Sequence, residues 1–327
     1  MNRKLALAMI GLFAASAVCA QEWPTRPVKL IIPLSAGGAT DQAARLVAQH
    51  LSDALGQQVV AENITGAAGS IALQRLAQSA PDGYTLGATA NSLHTIAPHM
   101  GKLPYDAFSS FSFVGTYASF DYVLVTASDA PFSSVADLVE RARGKPGAVS
   151  YGSSGVGTGN HLAANLFGQL AGVELTSVPY RGGSQAILDV MAGHTDFMFD
   201  VVGGAITQIE GGKVKPLGVS GTRRHALLPD VPPIADTVPG YESGGWFALI
   251  GPSGLSPAIV QRLNAALNRI QATPEFQQQL ARLGYTPLAG SPSDLENRVK
   301  SESSKWDGVV AKLPCTVVPH RCAPGAK

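Results

Sequence analysis

A chain of 327 residues with 24 Lys and Arg against 23 Asp and Glu has a formal net charge of +1, and only 14% of its residues are charged. No basic run is present to track a polyanion, so nucleic-acid binding is excluded on electrostatic grounds. The 36 glycines, and a length beyond what one core usually takes, indicate a loop-rich α/β protein built as two lobes.

The first twenty residues read as a cleaved secretory signal. Arg3 and Lys4 give a positive start, Leu5 to Ala15 an apolar centre, and Val18, Cys19 and Ala20 a small-residue site ahead of Gln21. The apolar stretch is shorter than the roughly 20 residues of a spanning helix. Cys19 invites a lipoprotein reading, but Ser16 stands where a large aliphatic is usual and Val18 where a small residue is usual.

Residues 28 to 51, VKLIIPLSAGGATDQAARLVAQHL, read as a buried strand, a glycine turn and a helix. Ala43, Val47 and Leu51 fall on one helical face, and Asp41, Gln42, Arg45 and Gln49 on the other. Thr40 is the expected N-cap, and Asp41 complements the helix dipole. Gly37 and Gly38 either only make the turn or leave first-turn amides open to a carboxylate or phosphate. The second alternative gains from a second copy at 148–172, AVSYGSSGVGTGNHLAANLFGQLAG. Neither loop carries the Lys-Ser or Lys-Thr of a P-loop, nor GxGxxG spacing.

Between these stretches, QQVVAENITGAAGSIALQRLAQSA reads as strand, turn and helix, and YTLGATANS as a strand ending in the small polar residues Thr89, Asn91 and Ser92. This block is β-α-β-α-β, which implies parallel strands. LPYDAFSSFSFVGTYAS looks irregular and leads into the strand DYVLVTASD, the expected first crossing between lobes. A helix at 135–142 precedes the second glycine loop. LTSVPYRGGSQAILDVMAGH then repeats the strand–turn–helix theme with Arg181, Gly182 and Gly183 at its turn, and TDFMFDVVG is a strand ending at Asp200. A helix at 205–210 and the strand VKPLGVSG complete the set. The proline-rich LPDVPPIADTVPGYESGG is an expected surface connector. A last strand, WFALIGP, and helices from 257, 274 and 293 follow.

Chemistry is hard to find. GSSGV, GGSQA and GPSGL miss the nucleophile elbow GxSxG, and no two histidines pair as HExxH. His161 opens the second helix as a ligand contact or as a capping residue. Arg181 is a counter-charge for an anion or a solvated turn residue. Asp41, Asp196 and Asp200 are acid–base candidates by position only, and Asp200 is the one at a strand's carboxyl end. Cys315 and Cys322, six residues apart in the tail, could close a small disulfide loop in an exported protein. The absence of a catalytic set points to a binding protein rather than an enzyme, with no cofactor and no metal.

Seven segments carry a specific likeness: IIPLSAGGATDQAAR, ENITGAAGSIA, APDGYTLGAT, LPYDAFSSFSFVG, YGSSGVGTGNHLA, VPYRGGSQAILDVMAGHTDFMFD and LPDVPPIADTVPG. In this order and spacing the chain resembles the Bug family of periplasmic solute receptors, the binding components associated with tripartite tricarboxylate transporters. The resemblance runs from residue 24 to about 300.

It implies a two-lobed periplasmic-binding-protein fold (type II-like), mainly parallel sheets flanked by helices, with the ligand cleft between lobes and closure by a hinge. It implies a small carboxylate held by backbone amides and bridging waters of the first loop, here Leu34, Ser35, Ala36, Gly37, Gly38 and Thr40, with Thr89 and Asn91 at the next strand end. From the opposing lobe come Ser153, Ser154, Gly157, Thr158 and His161, with Arg181, Gly182 and Asp200 behind them. Leu34 and Ala36 depart from the family's frequent aromatic and proline, which puts an aliphatic wall near the ligand's far end. The expected organisation is signal peptide 1–20, first lobe 21–124, second lobe 125–222, a return to the first lobe over 223–313, and a tail 314–327. The expected partners are the ligand and a transporter permease or a sensor protein; the receptor is expected to be a monomer in the periplasm. A secreted hydrolase on the same scaffold is the alternative.

Overall fold

The computed structural model describes residues 23–180 and 182–313. The signal region, Arg181, Cys315 and Cys322 lie outside the described residues.

Chain order begins with β1 (Val28–Ile32), α1 (Ala39–Leu55), β2 (Val59–Asn63), α2 (Ser70–Ala77) and β3 (Thr85–Ala90). Two short helices, α3 (Asn91–Thr95) and α4 (Ala97–Met100), lead to β4 (Phe111–Ala127). There follow α5 (Val135–Gly144), β5 (Ser150–Ser153), α6 (Gly159–Ala171), β6 (Thr176–Pro179), α7 (Gly183–Met191), β7 (Phe197–Val201), α8 (Val202–Glu210) and β8 (Val214–Val219). β9 (Gly244–Pro252), α9 (Pro257–Gln271), α10 (Pro274–Arg282) and α11 (Pro292–Val310) complete the described chain.

The strands form one curled sheet in the order β2-β1-β3-β9-β4-β7-β5-β6, with β8 also paired to β4. Its two wings are parallel, β1 lying between β2 and β3 and β5 between β6 and β7. Around β4 and β9 the ladders are antiparallel, so the expectation of parallel strands holds for the wings and not for the centre.

β4 corrects the reading of residues 111–119 as irregular, since they are the first half of a 17-residue strand. The pattern was hidden because both faces are covered. Phe111 and Phe113 belong to one apolar cluster while Val114, Tyr117 and Ala118 belong to another. Register shifts between Phe113 and Gly115 and between Thr116 and Ala118 also break strict alternation, as bulges do. Each large side chain so buried contributes about 1.5–3 kcal/mol.

β4 also joins the two wings of the sheet. Its pairing with β9 ends at Asp121↔Gly244, and its pairing with β7 begins at Tyr122↔Val201. The returning chain runs alongside, with Ser220 N–H donating to the Tyr122 carbonyl and Ser243 N–H to the Ser220 carbonyl. The proline-rich connector is more than a surface wrap: Leu228, Val231, Ile234, Val238 and Tyr241 in it are all buried. At the C-terminal end α9 and α10 pack on α1, and α11 on β4 and α3. Ser256, Thr273 and Ser291 cap these three helices by accepting from the third helical amide.

Candidate ligand-binding site

The first loop, Pro33 to Gly38, joins β1 to α1. Leu34, Ser35, Ala36, Gly37 and Gly38 are exposed. Gly38, extended at φ −78° and ψ 170°, is the N-cap residue and offers no side chain. This corrects the expectation for Thr40, which lies inside the first turn and is buried. A glycine cap lets the chain enter the helix with open space in front of it, and the Ala39 and Thr40 amides have no intrahelical acceptor.

Asp41 organises this loop from beneath. Its carboxylate accepts from Gly37 N–H at 2.9 Å, Arg45 Nε at 2.9 and 3.0 Å and Asn63 Nδ2 at 2.8 Å. Burial pushes the carboxyl up, but the bonds from Arg45, Gly37 and Asn63 outweigh burial and hold it below its ordinary range. Asn63 also donates to the Leu34 carbonyl at 2.9 Å, so both ends of the loop are tied to one carboxylate network.

The second loop joins β5 to α6. Thr158, extended at φ −74° and ψ 160°, is the N-cap residue, yet its hydroxyl does not cap α6. It lies 2.6 Å from the Gly155 carbonyl and 2.7 Å from Asn160 Oδ1. Asn160 in turn accepts from Ser154 N–H at 3.2 Å and donates to Ser154 Oγ at 3.0 Å. His161 is buried, and its Nδ1 accepts from Gly157 N–H at 3.4 Å. Burial pushes His161 down to about 4, which keeps the ring neutral and able to accept. Ser153 is fully buried and accepts from Gly155 N–H at 3.4 Å. The loop is thus shaped from within by Ser153, Asn160 and His161.

Ser154, Gly183 and Asp200 meet at the carboxyl ends of β5, β6 and β7. A methyl group on Gly183 would sit 3.3 Å from Ser154 Oγ and 3.8 Å from Asp200 Oδ1. Gly182 is the N-cap residue of α7, so a third helix start joins the cluster. Thr89 and Asn91 are placed differently. Thr89 Oγ1 is 3.0 Å from His94 Nε2, Asn91 Nδ2 donates to the Gly244 carbonyl at 3.4 Å, and both residues are buried.

Three residues that sequence reasoning missed connect these parts. Tyr285 Oη donates to the Ala39 carbonyl at 3.3 Å, and its phenol is pushed up by burial and then by the charge of Asp200. Tyr122, at the crossing on β4, places its hydroxyl where a Cβ on Gly159 would lie. Met100, at the end of α4, is 3.4 Å from the position of a methyl group on Gly157. The first loop, the second loop and Asp200 are therefore joined through single side chains drawn from distant parts of the chain. A different cavity, of ≈ 300 Å³, is lined by Asp121, Glu242, Trp246, Arg298, Glu302 and Trp306. It shares no residue with the two loops. Among the described residues no group of three His, Cys, Asp or Glu could hold a metal ion, and no helix is long and apolar enough to cross a membrane.

Comparison with known proteins agrees with this architecture. Residues 43–314 match the family described as the tripartite tricarboxylate transporter family receptor. Protein BugT of Bordetella pertussis is 31% identical, over 95% of this chain and 98% of its own. The solved structure of Rpa4515 from Rhodopseudomonas palustris with adipate is 33% identical with a TM-score of 0.84, covering 91% of this chain and 99% of the other. MatC of the same organism, with bound malate, is 30% identical with a TM-score of 0.81, covering 88% and 100%. With a family match over most of the chain and near full-length likeness on both sides, the chain belongs to the family of tripartite tricarboxylate transporter receptors.

Proposed function

We propose that this chain is a periplasmic receptor that captures a small carboxylate between its lobes, closes on it, and delivers it to the permease of a tripartite tricarboxylate-type transporter. The lobes would divide at the Asp121–Tyr122 step, 23–121 with 244–313 against 122–243. The carboxylate would be held by Leu34 to Thr40 on one side and by Ser154, Gly157, Thr158, Arg181, Gly182 and Asp200 on the other. The observation that carries this reading is the pair of helix starts, Gly38–Ala39 and Thr158–Gly159, each with an extended N-cap residue and no side-chain cap on its first-turn amides. Unpaired amides at the positive end of a helix are anion sites without any cationic side chain. Adipate and malate in similar receptors support the same ligand chemistry.

Magnitudes explain why two lobes are needed. A micromolar complex requires about 8 kcal/mol, and each charge-assisted hydrogen bond contributes about 1.5–3 kcal/mol. One loop with two or three such bonds falls short once ordering is subtracted. Closure and affinity are then coupled.

The hydrolase reading finds no support in the serines. Ser153 is fully buried, and Ser154 is engaged by Asn160, with no hydrogen bond to a histidine among the described residues. We infer a receptor without turnover. Calorimetric titration of the mature protein with adipate, malate and a panel of mono- and dicarboxylates tests the proposal. Micromolar or tighter binding of at least one member is expected; binding of sugars or cations with no response to any carboxylate would overturn it. Hydrolysis of an ester that stops with Ser154→Ala would instead favour the enzyme.

A further inference from the structure

The polar side chains of the second loop are used within it. Ser153, Ser154, Thr158, Asn160 and His161 bond to one another or to the loop's own backbone. What the loop leaves open is the start of α6, where the Gly159 and Asn160 amides have no intrahelical acceptor and Thr158 supplies no side-chain cap. A phenol is aimed at that opening. Tyr122 is only 6% exposed, and its hydroxyl stands where a Cβ on Gly159, the first residue of α6, would lie. Backbone and ring are both fixed: the Tyr122 N–H donates to Ser220 Oγ and the carbonyl accepts from Ser220 N–H, each at 2.8 Å, while the ring packs edge-on against Phe120 at 5.5 Å. Yet the hydroxyl makes no hydrogen bond among the described residues. Asp200, on the paired strand β7, accepts instead from Val201 N–H at 2.9 Å. A buried tyrosine hydroxyl normally has a partner.

We propose that Tyr122 is a ligand-binding residue: its hydroxyl donates to a carboxylate held at the start of α6, beside the open amides of that helix. This rests on the carboxylate reading above and adds to it the side chain that joins the anion there. Amides at a helix start favour an anion through their partial charges. A phenol adds an O–H donor to a charged acceptor, and little ordering is spent on it because its ring is already packed. Gly159 belongs to the same device, since any side chain at that position would take the place of the hydroxyl. The arrangement carries a trade-off. Without ligand, a hydroxyl largely withdrawn from water and left unpartnered costs stability; a bound carboxylate supplies the partner. Removing the hydroxyl should therefore spare or stabilise the unliganded chain and weaken the complex.

The test is Tyr122→Phe in the mature chain, titrated calorimetrically with adipate, malate and a panel of other carboxylates. Binding should weaken by about ten- to a hundredfold, while the melting temperature without ligand stays level or rises. Unchanged affinity would overturn the proposal and leave the carboxylate reading standing. A variant that fails to fold, or whose ligand-free melting temperature falls in step with its affinity, would also overturn it, because the hydroxyl would then serve the fold. No response of the unaltered chain to any carboxylate would overturn both. Gly159→Ala gives an independent reading: its methyl group displaces the hydroxyl, so affinity and melting temperature should both fall. Adding Tyr122→Phe to it should restore the melting temperature and not the affinity. Affinity regained in the double variant, or undiminished in Gly159→Ala, would count against Tyr122 as a ligand contact.

Discussion

The phenol of Tyr285 reaches the mouth of α1, where its hydroxyl donates to the carbonyl of Ala39 across 3.3 Å and 246 positions of sequence. The bond ties the segment after α10 to the loop proposed to hold the ligand. Tyr285→Phe removes the hydroxyl and keeps the ring that packs edge-on against Phe247 at 5.5 Å. Because this bond forms without ligand, its loss should cost about 1 kcal/mol of stability, and ligand affinity should fall by up to about fivefold as the start of α1 loosens. Titration calorimetry against the unaltered chain reads the effect; an unchanged affinity would show that α1 needs no such brace.

Asp41 should matter more to folding than to binding specificity. Asp41→Ala strands the Gly37 amide, the Asn63 amide and the Arg45 guanidinium, and the cost expected is about 3 kcal/mol. Because Asp41 titrates below its unfolded value, the stability it contributes is present above about pH 4 and is lost as pH falls further. Urea unfolding at pH 7 measures the first effect. All carboxylates should then bind more weakly by a similar factor, since the first loop loses its shape and not one contact.

Acid should unfold the protein partly through His94. The ring is buried between Thr89 and the Ala107 carbonyl, which lies 2.7 Å from Nδ1, and burial pushes it down to about 4. The unfolded chain takes the proton near pH 6.5 and the folded chain only near 4, so stability falls as pH drops through that interval, by roughly 3 kcal/mol for this residue. Asp200 has the opposite slope over a similar range. The difference in urea midpoint between the unaltered chain and His94→Gln, followed from pH 7.5 to 4.5, separates the two. A difference that stays constant with pH would rule His94 out.

Two glycines distinguish conformational from steric cost. Gly37 holds φ +79° with nothing within 4 Å of a would-be Cβ, so Gly37→Ala should cost only about 1 kcal/mol of backbone strain. Gly203 is different, because its Cβ would collide with the Leu283 carbonyl. Gly203→Ala must push α8 away from the 283–284 turn, at about 3 kcal/mol or more. Equal effects of the two substitutions on urea midpoints would contradict the close approach of α8 to that turn.

What the sequence disclosed, and what it withheld, follows from how local each feature is. The glycine loops before α1 and α6 are local, since a run of apolar residues, a turn and a helical period lie within twenty-five positions. β4 was half hidden because its first nine residues bury both faces and contain two register shifts. Thr40 looked like an N-cap on residue type alone, and Gly38 took the role because backbone conformation decides it. His161 could be read as a ligand contact or a cap until its Nδ1 was seen facing Gly157. Tyr285, Tyr122 and Met100 carried no local signal, since their role exists only after distant segments are brought together. Asp200 stood out by its place near a strand end; its closeness to Gly183 and Gly204 did not.

The continuity of β4 through Asp121 and Tyr122 gives the receptor a mechanical character. The same ribbon is hydrogen-bonded to one lobe up to the first of these residues and to the other lobe from the second. With Ser220 bonded to Tyr122 and Ser243 to Ser220 beside it, a change in the angle between the two halves of the sheet would have to be taken up as twist across this narrow pair of strands.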